Sequence, residues 1–90
     1  MRSIYEEMID GISENDLRKL ENLRTKIEVL ALDSRDNPNY VRAFKGAANC
    51  YKKMIIKIID DNVSSGKISK EMRINNLDYW LKYYYRYDVF

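Results

Sequence analysis

Chemistry in this chain would have to start from its carboxylates, because it contains no histidine. An acid–base pair must converge on one reacting atom. Glu6 with Glu7 and Asp60 with Asp61 are adjacent residues, which a helix turns away from each other. Asp10 and Glu14 share a face only if one helix passes unbroken through Gly11 and Ser13, a stop and a start residue. Cys50 is the single cysteine, so it has no histidine to activate it, no disulfide partner and no thiolate set for zinc. Gly46 and Gly66 stand apart, which leaves no glycine-rich phosphate loop. The expectation is a protein with no catalytic, cofactor-binding or metal site, and not an enzyme.

Binding chemistry is better represented. Five of the eight tyrosines lie between residues 79 and 87. A buried phenol needs a hydrogen-bond partner, whereas Tyr, Trp, Met and Arg are enriched at interfaces that are packed on one side and wet on the other. At helical spacing, Ile74, Leu77, Trp80, Leu81 and Tyr84 form a core stripe, and Met72, Tyr79, Tyr83 and Tyr87 form a second stripe beside it. With Tyr85 they leave a polar arc of only roughly 80–100° for Glu71, Asn75, Asp78, Lys82 and Arg86. Either other helices sandwich this one, or the second stripe meets another molecule. The reading favoured here is a protein interface built from Met72, Tyr79, Tyr83, Arg86 and Tyr87, serving a homodimer, another protein, or both.

The alternative partner is nucleic acid. Arg42, Lys45, Lys52, Lys53 and Lys57 gather on one side of a helix over residues 38–64, and a basic stripe can follow phosphates while tyrosines stack bases. A solvated face that keeps the protein soluble accounts for the same lysines. The segment Ile68-Ser69-Lys70-Glu71-Met72-Arg73-Ile74-Asn75, with Leu77 and Tyr79-Trp80-Leu81, resembles a helix-turn-helix of the transposase or repressor type. That resemblance implies a turn near Arg73 and a recognition helix after it. An uninterrupted helix through Asn75-Asn76 explains the same residues.

The elements that would position these groups are helices. Ser3 with Glu6, and Ser13 with Asp16, have capping-box spacing, and Gly11 offers a left-handed stop between them. A short helix over 4–10 is therefore followed by one carrying Leu17, Leu20, Leu23, Ile27 and Leu30, which fades through Asp33–Asp36. Asn37-Pro38 starts a third helix that runs to Ser64, ahead of Gly66. Its apolar face is Tyr40, Phe44, Ala47, Ala48, Tyr51, Met54, Ile55 and Ile58, with Ile56 stranded on the basic side. Residues 46–50 are small and suit close approach of a neighbour. Ser69 caps a last helix reaching Tyr87. No segment alternates like a strand.

The expected fold is thus all-α: one domain over residues 1–90, three long helices and a short N-terminal one. Its core would be Leu20, Leu23, Ile27, Phe44, Ala48, Tyr51, Ile55, Ile58, Leu77, Trp80, Leu81 and Tyr84. Ninety residues support one modest core, and 46% apolar with 33% charged residues excludes a disordered or fibrous chain. The net charge of +2 hides a split, −3 over residues 1–40 and +5 over 41–90. Glu6, Glu7 and Asp10 leave no signal-peptide core at the start, and Met54–Ile59, broken by Lys57, is too short to cross a bilayer. The expected setting is cytoplasmic, with no membrane contact and no small-molecule substrate. Ile, Lys, Asn and Tyr supply 35 residues, whose A/T-rich codons suit a low-GC bacterial, phage, viral or mobile-element gene, so a small adaptor or inhibitor is the expected role.

Overall fold

Three serines start three helices at the predicted spacing. In the computed structural model, Ser3 Oγ accepts from the Glu6 amide at 3.1 Å, Ser13 Oγ from Asp16 at 3.2 Å, and Ser69 Oγ from Met72 at 3.3 Å. Each bond satisfies one of the amides that a helix start leaves without an internal acceptor. The elements are α1 (Ile4–Ile9), α2 (Glu14–Arg35), α3 (Asn39–Ser64) and α4 (Lys70–Trp80). The structure describes residues 3–35, 39–82 and 84, with the side chains of 33–35 and 39–41 excepted. The Asn37-Pro38 start signal lies outside the described residues.

Two glycines stop the chain where the sequence predicts. Gly11 has φ 93° and Gly66 has φ 79°, both in the region where other residues are strained. After α3, the Gly66 amide donates to Val63 O at 3.1 Å and the Lys67 amide to Asn62 O at 2.9 Å. That pair of bonds is a Schellman motif around a left-handed glycine. Gly11 also serves contact, since a methyl group there would run into the Lys67 carbonyl oxygen. The α1–α2 corner is thereby set directly against the α3–α4 loop.

The fold is all-helical among the described residues. Helices α2 and α3 pack antiparallel, and α4 returns against both. Lys26 Nζ lies 5.2 Å from the Tyr51 ring centroid, and Asn62 Nδ2 donates to Asp16 Oδ2 at 3.2 Å near the opposite end. Arg73 Nε meets Asp60 Oδ1 at 2.7 Å, tying α4 to α3. The Tyr84 hydroxyl donates to Leu23 O at 3.1 Å, tying the chain after α4 to α2. Among the described residues, no helix is long and apolar enough to cross a membrane.

Nine of the twelve expected core residues are buried: Leu20, Leu23, Ile27, Phe44, Ala48, Ile55, Trp80, Leu81 and Tyr84. Tyr51, Ile58 and Leu77 lie half-buried against them, and Met8, Ile59 and Ile68 are buried additions. Three corrections follow from the direction of the neighbours. Helix α3 turns Ile59 inward and leaves Met54 half exposed, because α4 covers the flank carrying Ile56 and Val63. Helix α4 centres its buried arc on Asn76 and Trp80, so Ile74 stands in solvent at 62% exposure. And α4 is one uninterrupted helix from Lys70 to Trp80, which overturns the helix-turn-helix resemblance, since no turn interrupts it near Arg73. It also ends earlier than expected, with Leu81 as its C-cap (φ −98°, ψ 2°), although Lys82 and Tyr84 are again helical.

Candidate interaction surface

The short helix α1 lies antiparallel on the very side of α4 that carries Met72 and Tyr79. Three side chains explain the docking. Met8 is buried, and the Tyr5 ring sits 5.1 Å from that of Tyr79 and 6.5 Å from that of Trp80. Tyr79 meets Trp80 edge-on at 4.8 Å, a geometry in which a ring edge approaches a π face. Beneath them, Asn76 Nδ2 donates to Met8 O at 3.0 Å and to Met72 O at 2.9 Å, while its Oδ1 accepts from Trp80 Nε1 at 3.2 Å. The buried asparagine thus satisfies the indole and a carbonyl in the last turn of α1.

Tyr79 reaches a third element. Arg24 Nη1 on α2 donates to its hydroxyl at 2.7 Å, and the guanidinium carbon lies 4.7 Å from the ring centroid. The phenol that sequence reasoning assigned to a partner therefore has its polar end satisfied inside the molecule. Burial is the main influence raising the Tyr5 pKa, with the Tyr79 phenol adding to it. Burial likewise pushes the Tyr84 hydroxyl well above the ordinary tyrosine value, with Tyr51 contributing in the same direction.

Because α1 is only six residues long, it covers α4 incompletely. Two clefts that share Met8 remain between the helices. One, of about 400 Å³, is lined by Ile4, Tyr5, Met8, Asn75, Asp78 and Tyr79. The other, of about 350 Å³, is lined by Glu7, Met8, Asp10, Ile68, Ser69 and Met72. Together they form a groove with an apolar floor and acids at its edge, and among the described residues neither cleft is lined by a lysine or arginine. Ile4 is 74% exposed at one end of it. Ile74 stands on α4 one turn before Asp78.

Met72 and Tyr79 thus come together along one groove, half-buried in it. Tyr83, Arg86 and Tyr87 lie outside the described residues or side chains. The sequence reading missed Ile4, Glu7, Met8 and Asp10 as groove residues. The available signal was Tyr5, Met8 and Ile9 sharing a face of a helix too short to be stable alone, which must therefore lie on something.

On α3, Arg42, Lys45, Lys53 and Lys57 are exposed as expected, and Lys52 is half-buried. Lys57 pairs with Asp61 at 3.2 Å, one helical turn on. Among the described residues, no group of three or more His, Cys, Asp or Glu side chains gathers to hold a metal, and Cys50 is exposed and unbridged.

Comparison with known proteins adds no family: no family model, no curated protein and no solved structure matches this chain.

Proposed function

We propose that this protein is a non-enzymatic protein–protein interaction module that docks its partner along the groove between α1 and α4. The observation that carries the reading is the groove itself, where Met72 and Tyr79 line an apolar floor left partly uncovered beside exposed Ile4. Methionine and tyrosine suit such a surface because the thioether adapts its shape and the phenol tolerates a half-wet site.

The test is a photo-crosslinking residue placed at Ile4 in cells that express the chain, with Asn22 on the outer side of α2 as the control position. Crosslinks from Ile4 to one protein, whether a second copy or another chain, that vanish in Met72→Glu support the reading. Equal crosslinks from both positions, or none from either, overturn it.

A second reading, nucleic-acid binding through α3, is favoured by one feature. From Asn37 to Ile59 there is no acid, while Arg42, Lys45, Lys53 and Lys57 point to solvent. On the exposed face of α2, by contrast, both signs mix, as in the Glu14–Arg18 pair. Binding of a labelled mixed-sequence oligonucleotide should then weaken steeply with salt, since each phosphate contact releases counterions. Unchanged affinity after Arg42→Glu, Lys45→Glu and Lys53→Glu together removes this reading.

A further inference from the structure

The acids at the groove edge say what kind of partner fits it. We infer that the groove between α1 and α4 receives a lysine- or arginine-bearing amphipathic helix of a partner protein. The inference rests on the interaction reading above and names the chemistry of its occupant.

Shape comes first. The groove follows α4 from its N-cap Ser69 to Tyr79, ten residue steps and so about 15 Å at the helical rise. A partner helix lying along it would present about three turns. Apolar residues at three- and four-residue spacing would then meet Ile68 and Met72, Met8, and Ile4 with Tyr79 in succession.

Charge comes second. Glu7, Asp10 and Asp78 line the clefts and Glu71 is exposed on the same side of α4, while the exposed cation Lys82 stands one turn beyond Asp78, outside both clefts. An acidic helix would be repelled at each of these positions. A basic one gains at each, while its aliphatic lysine stems add apolar cover to the walls. A β-strand fits less well, because the groove walls are two helices whose backbone amides and carbonyls are already bonded along their axes, leaving no edge for strand addition. The same acids argue against two copies meeting groove to groove, which would set like charges together.

The probe is a synthetic 15-residue helical peptide with leucine at every third or fourth position and lysine elsewhere, labelled for fluorescence anisotropy. Controls are a scrambled peptide of identical composition and an otherwise equal peptide with glutamate in place of lysine. The inference expects saturable binding of the patterned basic peptide at least about tenfold tighter than either control, as apolar pattern and charge both contribute. Glu7→Lys with Asp78→Lys should weaken it at least about tenfold, and affinity should fall with added salt. Circular dichroism of the variant checks that the bundle is intact, and the neutral pair Glu7→Gln with Asp78→Asn gives a second test should the lysine pair unfold. Equal binding of the scrambled peptide, no binding at low salt, or an unchanged affinity in a folded double variant overturns the inference. Crosslinks from Ile4 to a protein that offers no basic helix would overturn it while leaving the interaction reading standing.

Discussion

Asn76→Leu is the most informative single change in this fold. Leucine keeps the heavy-atom branching of asparagine while being bulkier, so no cavity opens and any overpacking adds to the polar loss. Three hydrogen bonds disappear, and two of the groups left behind are buried without a replacement. Met8 O sits in the last turn of α1, and the Ile12 amide that would follow the helical pattern bonds Ile9 O instead. Trp80 Nε1 belongs to a side chain with no exposure at all. Met72 O keeps a partner through the α4 backbone. Each orphaned group costs about 1–3 kcal/mol, so the expected loss is about 3–4 kcal/mol once leucine's apolar contacts are counted in its favour. A 90-residue domain has about 5–13 kcal/mol in total, so the variant should still fold.

The assay is urea unfolding followed by circular dichroism and by the emission of the single tryptophan. With a denaturant slope of about 1.5 kcal/mol per molar, the midpoint should fall by about 2 M. Hydrogen exchange should show the larger effect in α1, whose amides should open well below the global unfolding energy because Asn76 is its polar tether. A midpoint shift under about 0.5 M, or an α1 as protected as in the parent chain, would refute the reasoning. Asn76→Asp adds a check of sign. A carboxylate there would face the Met8 and Met72 carbonyl oxygens, so its pKa should rise on folding, and the variant should be most stable in acid and weaken as pH rises.

Two further changes test the glycine stops and the buried phenol. Gly11→Ala adds a methyl against the Lys67 carbonyl at φ 93°, whereas Gly66→Ala meets open space at φ 79°. Both should lose about 1–2 kcal/mol to the left-handed backbone, and only Gly11→Ala should lose clearly more; equal thermal-unfolding losses would deny the close contact. Tyr84 keeps its proton in the folded state because burial, aided by Tyr51, raises its pKa, so its contribution is complete below about pH 10 and is lost as pH rises beyond the unfolded value. Stability should fall by up to about 1.4 kcal/mol per pH unit from this residue above pH 10, and Tyr84→Phe should show a shallower alkaline slope in urea titrations. An identical slope in the two proteins would mean the phenol is wetter than its position implies.

What the sequence disclosed and what it withheld divide along one physical line. Caps and glycine stops are local, so Ser3, Ser13, Ser69, Gly11 and Gly66 were legible from spacing alone. The inward stripe of α2 was equally plain, because Leu20, Leu23 and Ile27 recur at three- and four-residue spacing, whereas Val29 and Leu32 off that face form no such stripe and are left exposed. Helix α4 was harder, having two apolar stripes around one helix. Which of them faces the core depends on the direction of approach of α1, α2 and α3, and no property of residues 70–80 encodes that. Among the described residues, parts of both stripes are used: α1 lies over Met72 and Tyr79, with Arg24 of α2 reaching Tyr79, while Leu77, Trp80, Leu81 and Tyr84 pack into the core and Ile74 is left in solvent. A polar residue caught between two buried stripes must then be buried too. Asn76, flanked on the wheel by Met72 and Tyr79 on one side and by Leu77 and Trp80 on the other, occupies that position. The same geometry gives the groove its character: Met72 and Tyr79 need cover, and six residues of α1 supply it only in part. An interface hypothesis that began from too many tyrosines therefore ends on a surface defined by too short a helix.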